Sequence, residues 1–212
     1  MINSSVLPLA AADVDRVVSA AVDALTGALD EDWTRPAAGL DWSCWETIEH
    51  TADDLFAYAG QIAPKRPALT GHVPFAWQRK RPDGPAATIF GDPAYGQAGL
   101  LQVLDASGAL LTAMVATADP ATRGHHIFGV SDPDGFAAMG VVEVAVHTHD
   151  VAGALDLLWS PPTDACERAL RRLFPQAPHD TDPWDTLLWA TGRGELPGHP
   201  RLAEWRWYGE PR

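Results

Sequence analysis

Positive charge is what this sequence has least of for a nucleic-acid binder: 15 Lys and Arg stand against 28 Asp and Glu, a formal charge of -13 over 212 residues. Such a surface repels phosphate backbones and anionic lipid headgroups, so neither nucleic acid nor a membrane is expected as a partner. Cysteine is nearly absent as well. Only Cys44 and Cys166, with no charged-then-apolar segment at the start, fit a reducing interior better than a secreted disulfide scaffold, and a cytoplasmic setting is expected. Long apolar runs are also lacking. Ala106 to Ala118 is too short to cross a bilayer, and the run from Val141 is interrupted by Glu143, His147, His149 and Asp150, so the expected protein is soluble.

What the sequence does have is helical period. Ala10, Val14, Val17, Val18, Ala21, Leu25 and Leu29 form one apolar stripe, predicting a first helix over Leu9 to Leu29. Ser43 with Glu46 three residues on reads as a capping box, opening a second helix through Trp45, Ile48, Ala52, Leu55, Phe56 and Ala59 that Pro64 and Pro67 end. A third helix is expected over Ala94 to Ala118, with Gly99 and Gly108 as weak points, and a fourth from about Asp134 to Trp159, before Pro161 and Pro162. Thr163 to Phe174 and Trp184 to Thr191 read as short helices, and Glu204 to Tyr208 as a short extended tail.

Four long helical segments without comparable strand alternation or internal repeat predict an all-α chain: a four-helix bundle over residues 1–160 and a C-terminal extension, 161–212, packed on it. The connections between helices two and three and between three and four are long enough to cross over the bundle. The first of these, Pro64 to Pro93, is rich in Pro and Gly and carries the basic cluster Arg79, Lys80, Arg81; a loop this long suits a lid or binding loop. The second holds Arg123, His125 and His126.

Glu143 and His147 sit four apart on the fourth helix, which points a carboxylate and an imidazole the same way with Cβ atoms roughly 5 to 6 Å apart. Asp150 falls on the same face and suits an acceptor for a ligand imidazole N–H, whereas His149 points away. His50 lies on the second helix. Two helices packed face to face could close His50, Glu143 and His147 into a three-ligand metal site with an open position. The spacing equally serves a salt-bridged helix face, a lone histidine such as His50 is commonly a packing residue, and His125 and His126 are alternative ligands. The residues alone leave these readings open.

The order Trp42-Ser43-Cys44-Trp45-Glu46-Thr47-Ile48-Glu49-His50 with Asp53-Asp54-Leu55, followed by Glu143-Val-Ala-Val-His147-Thr-His-Asp150-Val151-Ala152, resembles the DinB-like superfamily and within it the mycothiol-dependent maleylpyruvate isomerase branch. The similarity runs from about Leu9 to Trp159, and Leu187-Leu188-Trp189-Ala190-Thr191-Gly192-Arg193 also looks familiar from these proteins. The resemblance implies a DinB-like four-helix bundle in which His50, Glu143 and His147 hold a divalent ion, zinc before nickel or another metal, with Asp150 in support. It also implies mycothiol as cosubstrate, a thiol held on the metal as thiolate, attacking a small electrophile in an isomerase or S-transferase reaction. Arg79, Lys80, Arg81 or Arg123 would then pair with carboxylates of the thiol or substrate.

The chain departs from the isomerase in its last fifty or so residues, which lack a convincing match to that enzyme's second domain. The resemblance therefore carries fold and metal site further than reaction. Two other functions fit the same residues: a hydrolase using metal-bound hydroxide, and a non-catalytic metal-binding stress protein.

Overall fold

The computed structural model describes residues 9–211 and is predominantly helical. Its elements are α1 (Leu9–Thr26), α2 (Cys44–Ile62), a two-stranded hairpin β1 (Gln78–Arg79) and β2 (Ala86–Ala87), a 3-10 turn at Pro93–Tyr95, α3 (Gly96–Thr117), α4 (Pro133–Ala154), α5 (Thr163–Leu173) and α6 (Pro183–Ala190). The all-α bundle with an extension is therefore what the chain forms.

Both α1 and α2 pack against α3 and α4, so α1 stands diagonally across from α2, and α3 and α4 touch only lightly across the other diagonal. The connections that cross the bundle are accordingly α1 to α2 and α3 to α4, whereas α2 and α3 are neighbours, a correction to the expected crossover between helices two and three. Residues 27–43 cross the end of α4, where Ala38 N donates to Asp150 O at 2.8 Å and an Arg35 guanidinium N–H donates to Ala154 O at 2.9 Å.

Helix α4 is buried on every side from Gly135 to Ala152 with His149 as the exception, as expected of the central helix of a bundle. Close approach of its neighbours depends on glycine: a Cβ on Gly140 would stand 2.7 Å from Leu111 and 3.0 Å from Leu55, and one on Gly108 of α3 would stand 2.7 Å from Val18 of α1. Gly108 is thus a packing device rather than the weak point its propensity suggests. Helix α4 also stops earlier than expected. Asp156 takes a φ of 55°, and Leu157 N donates to Ala152 O at 2.9 Å, a left-handed C-terminal cap that closes the helix well before Trp159. Helix α1 likewise ends at Thr26, ahead of Gly27, rather than at Leu29.

The capping box at Ser43 forms as expected: Glu46 N donates to Ser43 Oγ at 3.1 Å and Ser43 N to Glu46 Oε2 at 2.9 Å. The stretch Pro93–Thr117 is longer than the apolar segment weighed from sequence and is long and apolar enough to cross a membrane by length and composition; here it packs against α1 and α2. Helix α5 lies on α4 and α6 on α5. The final segment forms no strand and is pinned by Tyr208 N donating to Leu173 O at 2.8 Å and by Ser131 Oγ donating to Gly209 O at 2.5 Å.

Candidate metal centre

Helices α2 and α4 pack side by side, and this brings His50, Glu143 and His147 together. One potential ligand atom from each lies within 4.8 Å of the other two. The i,i+4 geometry of α4 sets His147 Nε2 3.1 Å from Glu143 Oε2, while the rings of His50 and His147 meet edge to face with centroids 5.3 Å apart. His147 Nδ1 is turned to Asp150 Oδ2 at 3.2 Å, which leaves Nε2 as the nitrogen presented on the Glu143 side. His50 Nε2 meets Asp54 Oδ2 at 3.3 Å, and His50 Nδ1 is buried with no partner among the described residues.

The electrostatics follow from burial and from these contacts. Burial, with the charge of His147 nearby, pushes His50 down to about 4 against the opposing pull of Glu143, so its ring is neutral and able to coordinate at neutral pH. Burial opposes ionisation of Glu143 and protonation of His147, yet their hydrogen bonds prevail: Glu143, bonded to His147, is held below its ordinary value, and His147, bonded to Asp150 and then to Glu143, above its own. Asp54 goes the other way, raised well above a normal carboxylate by burial and by the neighbouring charges of Glu143 and Asp53. Two histidines and a carboxylate with a buried orphan nitrogen among them fit a divalent cation, and three protein donors leave a position open.

Two cavities flank the cluster and share His50, Glu143 and the indole of Trp205. One, of about 400 Å³, is lined by Trp42, His147, Asp150, Arg193 and Arg201. The other, of about 330 Å³, lies on the Asp54 side beneath Tyr58, His72, His126 and Trp207. Trp42 covers His50 edge-on, with centroids 4.8 Å apart, and Tyr58 donates to Glu143 Oε1 at 3.4 Å.

Among the residues singled out by sequence, His149 is directed to Trp184, with ring centroids 5.6 Å apart, and stays out of the cluster. His125 and His126 line the second cavity without joining it. The basic residues of the loops are engaged elsewhere. Lys80 Nζ bonds Glu49 at 2.9 Å, Arg81 bonds Glu46 at 2.7 and 2.9 Å, Arg79 bonds the Gly84 carbonyl, and Arg123 bonds the Pro120 and Thr122 carbonyls. None of the four lines either cavity beside the cluster. Together with Asp53, which accepts from Thr88 N and Ile89 N at 2.7 and 2.9 Å, these carboxylates of α2 tie the 64–93 segment down as a strap.

Sequence reasoning missed Asp54 and Arg193. Asp54 carried the same signal that exposed Glu143 and His147, a four-residue step from His50. Arg193 closes the Leu187–Arg193 segment noted above, but nothing local pairs it with Asp150 43 positions earlier.

The family model of the mycothiol maleylpyruvate isomerase N-terminal domain, a DinB-like domain, matches residues 16–152, well over half of the chain. The chain belongs to this family. No curated protein and no solved structure gives a significant match. The matched span begins inside α1, ends inside α4 and includes His50, Glu143 and His147, whereas α5, α6 and Arg193 lie beyond it.

Proposed function

We propose that this family member is a divalent-metal-dependent enzyme, zinc being the expected ion, that uses mycothiol as an isomerase or S-transferase on a small electrophile. The observation that carries the reading is the position of the His50, Glu143 and His147 donor set between two cavities, with a coordination position open for a thiol and a separate space for a second reactant. When bound, the ion supplies the positive charge that keeps a thiol ionised near neutral pH. The sulfur then adds to one carbon of an activated double bond, whose π pair moves onto the activating group. In an isomerase the remaining single bond rotates and elimination restores the double bond and the thiolate; in a transferase the adduct takes up a proton and is the product.

The protein's own groups serve this chemistry by orientation and charge. Asp150 fixes the tautomer and angle of His147, Tyr58 donates to the Glu143 oxygen nearest it, and Trp42 shields His50 from water. Arg201 lines the larger cavity, so a thiol bearing polar or anionic groups has a cation to meet there. In this reading residues 1–160 are the metal-binding unit, residues 161–212 close its larger cavity, and the setting is the cytoplasm, where buried Cys44 and Cys166 remain reduced thiols.

The test is cobalt substitution followed by titration with mycothiol or N-acetylcysteine. A sulfur-to-cobalt charge-transfer band is expected, together with thiol consumption in the presence of a soft electrophile. An unchanged spectrum at millimolar thiol would reject the thiol reading in favour of a hydrolase or a binding protein.

A further inference from the structure

The 330 Å³ cavity on the Asp54 side of the cluster differs in chemistry from its partner. The larger cavity has Arg193 and Arg201 in its wall; this one has no lysine or arginine among the described residues that line it, while Asp53, Asp54 and Glu143 do. Much of the remaining wall is aromatic: Tyr58, Trp77, Phe128, Phe136, Trp205 and Trp207. A dicarboxylate entering here would lose its hydration opposite three carboxyl groups, with no lysine or arginine in the described lining to replace it.

Apart from His50 Nδ1, which belongs to the ligand cluster, two of the lining residues carry buried polar atoms without a partner among the described residues, Trp207 Nε1 and His72 Nε2. The indole N–H is a donor only. The Gln61 amide oxygen accepts from Val73 N at 3.3 Å, so the amide nitrogen is the group that donates to His72 Nδ1 at 2.6 Å, and the proton of the neutral His72 ring sits on Nε2. The ring is neutral because burial, with His125 beside it, pulls its pKa below the usual value. The cavity thus joins flat apolar walls to two unused neutral donors.

We infer that this cavity seats the electrophile, and that the electrophile is an uncharged aromatic or similarly flat apolar molecule bearing a neutral hydrogen-bond acceptor, such as a carbonyl or nitro oxygen. The inference rests on the thiol-enzyme reading, in which the thiol occupies the open metal position and the other cavity. Trp207 and His72 act in it as specificity determinants.

The experiment compares two molecules of nearly the same shape, neutral 4-nitroacetophenone and anionic 4-acetylbenzoate, by calorimetric titration of metal-loaded full-length protein without thiol. The neutral ketone should bind at least about tenfold more tightly, and Trp207→Phe and His72→Phe should each weaken it about threefold to tenfold while metal content stays unchanged. Should Trp207→Phe fail to fold, His72→Phe still decides. Equal or tighter binding of the carboxylate, no binding of the ketone up to its solubility limit, or indifference to the substitutions that fold would overturn the inference. The cobalt–thiol band reads the underlying function separately: with the band present and ketone binding absent, the cavity assignment alone fails. With ketone binding present and the band absent, the thiol reading alone fails.

Discussion

Arg193 grips Asp150 through both faces of its guanidinium edge, Nε to Oδ1 at 2.9 Å and a terminal nitrogen to Oδ2 at 2.6 Å, and the same Oδ2 stands 3.2 Å from His147 Nδ1. The segment after α6 therefore reaches the candidate metal centre through one carboxylate. Burial would raise Asp150, but His147 and Arg193 together hold it below the usual range, so it stays ionised behind the imidazole. Replacing Asp150 by Asn, or Arg193 by Met, should weaken divalent-ion affinity about tenfold to a hundredfold without abolishing it, since each disturbs the orientation of a ligand and removes none. Competition against a chromophoric chelator measures this. Unchanged affinity in both variants would remove the relay from the site.

The elements that sequence made legible are those whose physics is local. The Ser43 cap, the apolar stripe of α1 and the shared face of Glu143, His147 and Asp150 each depend on residues within about two turns. What could not be read depends on distance in the chain. The clasp on Asp150, the use of Glu46, Glu49 and Asp53 to strap down the 64–93 segment, and the early cap at Asp156 are tertiary arrangements. The pairing of the basic cluster was hidden for the same reason: Lys80 and Arg81 stand out against an acidic composition, and their partners on α2 are Glu49, next to His50, and Glu46, one turn before it.

The ligand assignment makes a sharp prediction, because three histidines lie near one another in sequence or space and only two share the cluster. Protein purified without added metal should carry about one divalent ion per chain. His50→Ala or His147→Ala should abolish retention, and His149→Ala should leave it intact. Elemental analysis of the three variants decides, and equal loss in the His149 variant would mean that the wrong face of α4 was chosen.

Cys44 opens the helix that bears His50, yet it should be inert. Burial pushes its thiol up to about 11 and that of Cys166 up to about 12, so roughly a thousandth or less of either is thiolate at pH 8. Native protein should resist a disulfide-forming thiol reagent over the time in which free cysteine reacts completely, and unfolding should release two equivalents. Rapid labelling of native Cys44 would return it as a nucleophile in competition with an external thiol.

Glu46 does two jobs, closing the α2 capping box through Ser43 and receiving Arg81 from the strap. Arg81 is the larger cause of its lowered pKa, with the Ser43 backbone adding to it against the cost of burial. A carboxylate held below its ordinary value contributes stability that is fully present above the unfolded-state pKa, and that contribution is lost as pH falls through the folded value. Glu46→Ala should therefore cost about 1 kcal/mol at neutral pH, the usual scale of a lost cap contact. Its difference from the unsubstituted protein should shrink as the medium is acidified below the ordinary carboxylate range. Urea unfolding at a series of pH values provides the comparison. Because the strap borders the cavity at Trp77 and Ala86, the same variant should also raise the protease sensitivity of the 64–93 segment before global unfolding begins. A difference that stayed constant with pH would show that the charge of Glu46, whether on Arg81 or on the cap, does not carry the effect.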